Sequence, residues 1–77
     1  MTVIGNRIQQ LRKEKGISQQ ELADYLGIER TSLSKIENMK YNPSARIMQK
    51  IAEYFNLPIG DIFFNNFVSR NDTKEAI

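Results

Sequence analysis

A polar, basic stripe at helical spacing runs through the stretch from Ser18 to Asn38, SQQELADYLGIERTSLSKIEN. Leu33 and Ile36 lie three residues apart, so both would sit on one side of a helix. The other side would then carry the side chains of Arg30, Thr31, Ser34 and Lys35. Because these groups donate hydrogen bonds and two of them are cationic, we interpret that side of the helix as a contact surface.

The residue inventory argues against catalysis. The chain has 77 residues, with no cysteine and no histidine. Disulfides, thiolate chemistry, the commonest zinc ligands and the usual pairs of nucleophile and base are therefore excluded. We expect no enzymatic activity, no metal and no cofactor.

Two short helices joined by a tight turn would position the contact surface. Ser18 and Glu21 have the spacing of a capping box, so a helix begins after Ser18. Gly27 ends that helix, since glycine adopts a positive φ most easily. The sequence therefore predicts one helix over residues 19–26 and a second over about residues 30–37.

Three further helices would complete an all-α fold of five helices. They are predicted over residues 5–15, over residues 45–55 between a Ser44 cap and a left-handed Asn56, and over about residues 59–63. One domain would span residues 1–64, and residues 65–77 would form a partly disordered tail that contributes to dimerisation. The predicted core consists of Ile8, Leu11, Ile17, Leu22, Ala23, Leu26, Ile28, Leu33, Ile36, Ile47, Ile51, Ala52, Phe55, Leu57, Ile62 and Phe63.

The net charge of +2 is unevenly distributed. Residues 1–50 hold nine Lys and Arg against five Asp and Glu, whereas residues 51–77 hold two against four. The basic part contains the two central helices, as a surface facing phosphates requires, although such an excess is also common on solvated helices. No apolar run approaches the ~20 residues that span a bilayer and no signal peptide is evident, so we expect a cytoplasmic protein with no membrane contact.

The pattern S-Q-x-E-L-A-x-x-L-G-I-x-R-x-x-L-S-x-I-E-N resembles the helix-turn-helix of the phage repressor and Cro family, also called the XRE type. The resemblance covers roughly residues 4–63 and implies a lambda-repressor-like DNA-binding domain whose helix-turn-helix is formed by helices 2 and 3. Helix 3 would then enter the major groove. The implied base-reading residues are Arg30, Thr31, Ser34 and Lys35.

The chemistry of these side chains suits that role. The guanidinium of Arg30 can pair with O6 and N7 of guanine, Lys35 can reach guanine or a phosphate, and Thr31 can touch a thymine methyl group. The resemblance also implies contacts to the DNA backbone, which would set affinity and register. The residues concerned are Gln19, Gln20, Asn38, Lys40, Asn42 and Arg46. For Gln20, Lys40 and Arg46, an ordinary solvated side chain is the alternative.

The resemblance further implies a structural ion pair between Arg12 and Glu37, which would join helix 1 to the end of helix 3. Two residues depart from the family pattern. Glu29 stands where Ser or Thr often caps helix 3, and we expect its carboxylate to serve as the cap. Met39 stands where the family commonly has glycine, so we expect helix 3 to close differently, with Asn38 left-handed.

An apolar cluster lies near the end of the chain and consists of Ile59, Phe64, Phe67 and Val68. A five-helix core does not need all four, and exposed aromatic side chains usually mark a partner surface. By resemblance, we assign the cluster to a homodimer interface. The alternative is that Phe64 and Phe67 fold back on helix 1.

These features lead us to expect a sequence-specific DNA-binding transcriptional regulator, a repressor that binds a palindromic operator in double-stranded DNA as a homodimer. No small-molecule effector is evident. Two alternatives stay open. One is the antitoxin of a toxin–antitoxin pair, whose tail from residue 64 to 77 would hold a toxin, and the other is a protein-binding module that retains the fold without binding DNA.

Overall fold

The structure, a computed structural model, describes residues 4–65. Within that range the chain forms five helices and two short strands, in the order β1 (Ile4–Asn6), α1 (Ile8–Lys15), α2 (Gln19–Leu26), α3 (Arg30–Glu37), α4 (Ala45–Phe55), α5 (Ile59–Ile62) and β2 (Phe63–Asn65). The predicted five-helix domain is confirmed. The predicted tail lies outside the described residues except for residue 65, so the domain boundary at residue 64 stays a prediction.

The strand pair is a feature that the sequence did not predict. β1 and β2 run antiparallel, with Gly5 opposite Phe64. The predicted start of helix 1 at Gly5 is therefore wrong, because residues 4–6 extend to pair with β2 and α1 begins at Ile8. Glycine suits position 5, since a Cβ there would lie 2.5 Å from Cε1 of Phe64. The pairing joins the two ends of the described chain.

The helix starts follow the sequence at two of three predicted caps. The Ser18 hydroxyl accepts from the Glu21 amide at 3.0 Å, and the Glu21 carboxylate accepts from the Ser18 amide at 3.2 Å. Ser44 caps α4 by accepting from the Ile47 amide at 3.2 Å. Glu29 occupies the cap position of α3 without a capping side-chain bond, so that expectation is wrong. The side chain of Glu is longer than those of the preferred caps and can leave its exposed carboxylate in water.

The first four helices end at or next to a left-handed residue. α1, α2 and α4 end, as predicted, at residues with positive φ, which are Gly16, Gly27 and Asn56. At the end of α3 the left-handed residue is Met39, with φ of 59°, whereas Asn38 has φ of −90°. The expectation for Asn38 is therefore wrong. The amide of Met39 donates to the carbonyl of Ile36 at 3.0 Å, and the amide of Lys40 donates to the carbonyl of Lys35 at 2.8 Å. These two backbone hydrogen bonds accompany a left-handed residue at position 39 rather than at position 38.

The predicted core is confirmed. Thirteen of its members are buried, and the remaining three, Ile17, Ile28 and Leu57, pack against it half-buried. Its most enclosed side chains come from all five helices, so each helix is oriented by the same core. None of the helices in the described range is both long and apolar enough to cross a membrane.

Candidate nucleic-acid interface

The outer face of α3 carries the side chains predicted to read bases. Arg30, Thr31 and Lys35 are exposed, and Ser34 is half-buried. The opposite, apolar side of α3 is buried, with Leu33 at 0% and Ile36 at 2% exposure. Because that apolar side fixes the rotation of the helix, the polar side points to solvent. Helix α2 packs against α3 and completes the helix-turn-helix.

A buried ion pair anchors the end of α3 to α1. Nε of Arg12 donates to Oε2 of Glu37 at 2.6 Å, and Nη2 donates to Oε1 at 3.1 Å. Nη1 of Arg12 donates to the carbonyl of Ile17 at 3.2 Å. The two side chains are only 9% and 2% exposed. A two-pronged contact of this kind fixes both the distance and the mutual orientation of the groups.

Gln19 extends this network to the surface. Its Nε2 donates to Oε1 of Glu37 at 3.0 Å, and its Oε1 accepts from Nη1 of Arg30 at 3.1 Å. An ionised carboxylate only accepts hydrogen bonds, so Glu37 obliges Gln19 to turn its nitrogen inward. The amide oxygen is then left facing Arg30. A continuous path of hydrogen bonds therefore joins the buried Arg12 to the exposed guanidinium at the start of α3.

The residues predicted to contact the DNA backbone lie on α2, in the loop after α3 and on α4, and only some of them have side-chain hydrogen bonds. Nε2 of Gln20 donates to Oδ1 of Asp24 at 2.8 Å, and Nδ2 of Asn38 donates to the carbonyl of Ser34 at 2.9 Å. Oδ1 of Asn42 accepts from the amide of Ile4 at 2.9 Å. The remaining two are cationic and exposed, namely Lys40 and Arg46.

Several carboxylates near this surface have partners within the domain. Glu21 accepts from the Ser18 amide, Asp24 from Gln20 and Glu37 from Arg12. Glu29 is exposed beside Arg30, at the start of α3. Four cations are exposed on α3, in the following loop and at the start of α4, namely Arg30, Lys35, Lys40 and Arg46. A surface of this composition can attract phosphates.

The apolar cluster is described only in part. Ile59 is 39% exposed and Phe64 is 43% exposed, while Phe67 and Val68 lie outside the described residues. The ring of Phe64 covers Gly5 of β1. Phe64 therefore contacts the opposite strand of the pair, and both the dimer assignment and the alternative of packing on α1 stay predictions.

Asn6 is a buried polar residue that sequence reasoning missed. Its side chain is enclosed, with the residue 8% exposed, and bridges two elements. Oδ1 accepts from the amide of Ile8 at 3.1 Å, and Nδ2 donates to the carbonyl of Ile36 at 2.9 Å. An Asn two residues before a helix resembles a local cap, and that signal could have located the first of these bonds. The second joins residues 30 positions apart and has no local signal.

Among the described residues, no group of three or more acidic, Cys or His side chains could hold a metal ion. The side chains brought together on α2, α3 and the following loop are instead hydrogen-bond donors, amides and cations on a convex helix face. That combination defines a helix-turn-helix DNA-binding domain.

Comparison with known proteins supports this class. The helix-turn-helix family model matches residues 8–62. An uncharacterized HTH-type transcriptional regulator of Archaeoglobus fulgidus is 44% identical over 57 residues, which cover 74% of this chain and 81% of that protein. The ImmF control region 10 kDa protein of Bacillus phage phi105 is 45% identical over 56 residues, covering 73% of this chain and 62% of that protein. A crystal structure of SinR, the master regulator for biofilm formation, in complex with DNA matches with a TM-score of 0.62 and 39% identity, covering 69% of this chain and 86% of that one.

The chain therefore belongs to the helix-turn-helix family of DNA-binding transcriptional regulators of the phage repressor and Cro (XRE) type. The family expected from the motif over residues 18–38 is confirmed.

Proposed function

We propose that this regulator acts as a repressor that binds a palindromic operator as a homodimer, with α3 reading bases in the major groove. The observation that carries the proposal is the hydrogen-bond path from Arg12 through Glu37 and Gln19 to Arg30. It holds a guanidinium at the first residue of α3, the end of a recognition helix that reaches base edges. The similar SinR has been solved in complex with DNA, which supports DNA binding by this chain.

Base reading would be shared by four side chains. Arg30 would pair with a guanine, and its hydrogen bond to Gln19 would limit the directions it can take. Thr31 would contact a thymine methyl group, and Ser34 and Lys35 would act one turn further along α3. Order in the free protein favours affinity, because less side-chain freedom is lost when DNA binds.

Contacts to phosphates would surround the reading helix. Gln19 and Gln20 begin α2, where free backbone amides and the helix dipole favour an anion. Asn38, Lys40 and Asn42 would contact the backbone from the loop after α3, and Arg46 would do so from α4. These contacts would add affinity to every DNA sequence and make binding depend on salt.

A second copy of the chain would cover the apolar cluster. Ile59 begins α5 and Phe64 lies in the strand that follows it, and both are more than a third exposed. We place the homodimer contact there, together with Phe67 and Val68. A two-fold dimer would set two α3 helices about 34 Å apart on an imperfect palindrome, one turn of DNA. Binding near a promoter would block polymerase, in the cytoplasm, without catalysis, a cofactor or a small-molecule effector.

Selection from a pool of random duplexes tests this proposal. We expect enrichment of two half-sites in inverted orientation whose centres are 10–11 base pairs apart, with affinity that falls steeply with salt. Sedimentation should show a dimer that Ile59→Ser weakens, whereas Tyr25→Ser, a control at an exposed large side chain outside the cluster, should leave it intact. A pool without enrichment would contradict sequence-specific binding, and a monomer on a single half-site would contradict the dimer.

A further inference from the structure

The C-terminal end of α3 is held from outside the helix-turn-helix. The carbonyl of Ile36 accepts from the Met39 amide at 3.0 Å and from Nδ2 of Asn6 at 2.9 Å. Carbonyl oxygens near the end of a helix lack partners within the helix, so an outside donor can fix their position. Asn6 supplies such a donor from the end of β1.

Asn6 is itself fixed on its other side. Its Oδ1 accepts from the amide of Ile8, the first residue of α1. Both ends of a single buried amide are therefore used, one on α1 and the other on α3. A half-satisfied amide at this depth would be costly, so the two bonds hold each other in place.

A second bond from the same strand reaches the loop after α3. The amide of Ile4 donates to Oδ1 of Asn42 at 2.9 Å. Since the oxygen of this exposed amide is engaged, its Nδ2 group is the part left free to donate outward. The hydrogen bond from strand β1 therefore leaves the nitrogen of Asn42, not its oxygen, to face outward.

Strand β1 is itself held in place by hydrogen bonds to β2 and α5. β1 pairs with β2, and just beyond it the amide of Arg7 donates to the carbonyl of Ile62 at 3.1 Å. Nε of Arg7 donates to the carbonyl of Asp61 at 2.6 Å. These bonds tie β1 to α5 and β2, which lie outside the helix-turn-helix.

We propose that β1 is a positioning element for DNA recognition, with Asn6 as its principal positioning residue. Asn6 sets where α3 ends relative to α1, and the Ile4 amide sets the orientation of Asn42 in the adjoining loop. Neither β1 residue needs to touch DNA. The inference rests on the proposed DNA interface and extends it to a segment outside the matched family region, residues 8–62.

Asn6→Ser separates the two bonds of Asn6. Serine keeps an oxygen that can accept from the Ile8 amide, as at a helix cap, but it is too short to reach the Ile36 carbonyl. Asn6→Asp is a second variant of nearly the same shape, which replaces the donor to Ile36 by an acceptor. Ile51→Val is the matched control, because it destabilises the fully buried core and leaves the surface unchanged.

The measurement is DNA binding by fluorescence anisotropy at a temperature where circular dichroism shows every variant folded. On the duplex selected by the wild-type protein, we expect Asn6→Ser to bind about tenfold more weakly and to lose about one unit of the slope of log K against log salt, as for one lost cationic phosphate contact at Lys40, just beyond the end of α3. Ile51→Val should keep the wild-type affinity and slope. Hydrogen exchange of the Met39 and Lys40 amides should accelerate in Asn6→Ser but not in the control.

The possible results separate the inference from the proposed function. Wild-type affinity and slope in folded Asn6→Ser would reduce Asn6 to a structural residue and overturn the inference, while the proposed function would stand. If Asn6→Ser does not fold, the same comparison with Asn6→Asp decides. If the wild-type protein binds no duplex, the proposed function fails, and the inference fails with it.

Discussion

Truncation of Arg12 to alanine tests the buried ion pair most sharply. The substitution removes the two hydrogen bonds that Arg12 makes to Glu37 and the one it makes to the carbonyl of Ile17. Glu37 would then keep one side-chain donor within the described residues, Nε2 of Gln19 at 3.0 Å. A carboxylate only 2% exposed would be left without its counter-charge.

The size of the effect follows from this burial. Breaking a buried pair by removing one partner costs about 3–5 kcal/mol, because the remaining charge is neither hydrated nor paired. We expect the free energy of unfolding of Arg12→Ala to fall by that amount. In a domain of this length each kcal/mol lowers Tm by about 4–8 °C, so Tm should fall by more than about 10 °C.

Urea unfolding followed by circular dichroism at 222 nm measures the change. Lys13→Ala, an exposed cation one residue further along α1, is the control and should change the free energy of unfolding by less than about 0.5 kcal/mol. Replacing both partners, as Arg12→Met with Glu37→Leu, should restore most of the stability, since an apolar pair of similar volume needs no hydration. Equal stability of Arg12→Ala and wild type would refute the reasoning.

The same double variant separates stability from recognition. Without the Glu37 carboxylate, Gln19 has no fixed acceptor for its nitrogen, and its amide can turn over. The hydrogen bond that holds Arg30 would then be intermittent. We expect a folded protein whose preference at the base read by Arg30 is weakened, so unchanged preference would show that the path of hydrogen bonds does not position Arg30.

Three further changes test the local geometry by urea unfolding. Met39→Gly should raise the free energy of unfolding by about 0.5–1 kcal/mol, because glycine relieves a left-handed backbone at φ of 59°. Gly5→Ala should lower it by about 1 kcal/mol, since the new Cβ would lie 2.5 Å from the ring of Phe64, and adding Phe64→Ala should remove that clash. Ser18→Ala should cost about 1 kcal/mol by breaking the capping box of α2.

Each of these expectations can fail separately. A less stable Met39→Gly would mean that the contacts of the half-buried side chain outweigh the backbone strain. Additive effects of Gly5→Ala and Phe64→Ala would mean that the ring does not lie over β1. An unchanged Ser18→Ala would mean that water replaces the hydroxyl at the start of α2 without loss.

Local signals predicted the helices well because their causes are local. Ser18, Gly27 and Ser44 act on backbone groups within a few residues, and the structure has the cap or the turn at each. The apolar spacing that predicted the core works for the same reason, since it depends only on the period of a helix.

The sequence failed where distant residues decide the conformation. Gly5 reads as the start of a helix, but pairing with Phe64, 59 positions along the chain, makes it part of a strand. The error at Asn38 is local instead: the amides of Met39 and Lys40 donate to carbonyls three and five residues back, and the left-handed residue is Met39. The path from Gln19 to Arg30 joins two helices, and no local signal gives its hydrogen bonds. These contacts required the folded chain.

Replacement of two lysines by alanine, one at a time, tests most directly whether α3 reads the DNA sequence. Lys35 and Lys40 are both exposed, one on α3 and the other in the loop behind it, and alanine removes the same charge from each. The base preference of each variant is measured by selection from a random pool of duplexes. In Lys35→Ala the preference should relax at particular positions of the site. In Arg30→Ala the free-energy preference for guanine at one position should fall by about 1–3 kcal/mol. Lys40→Ala should weaken all sites alike and keep the preferences. Full preference in both Lys35→Ala and Arg30→Ala would contradict the reading role of α3.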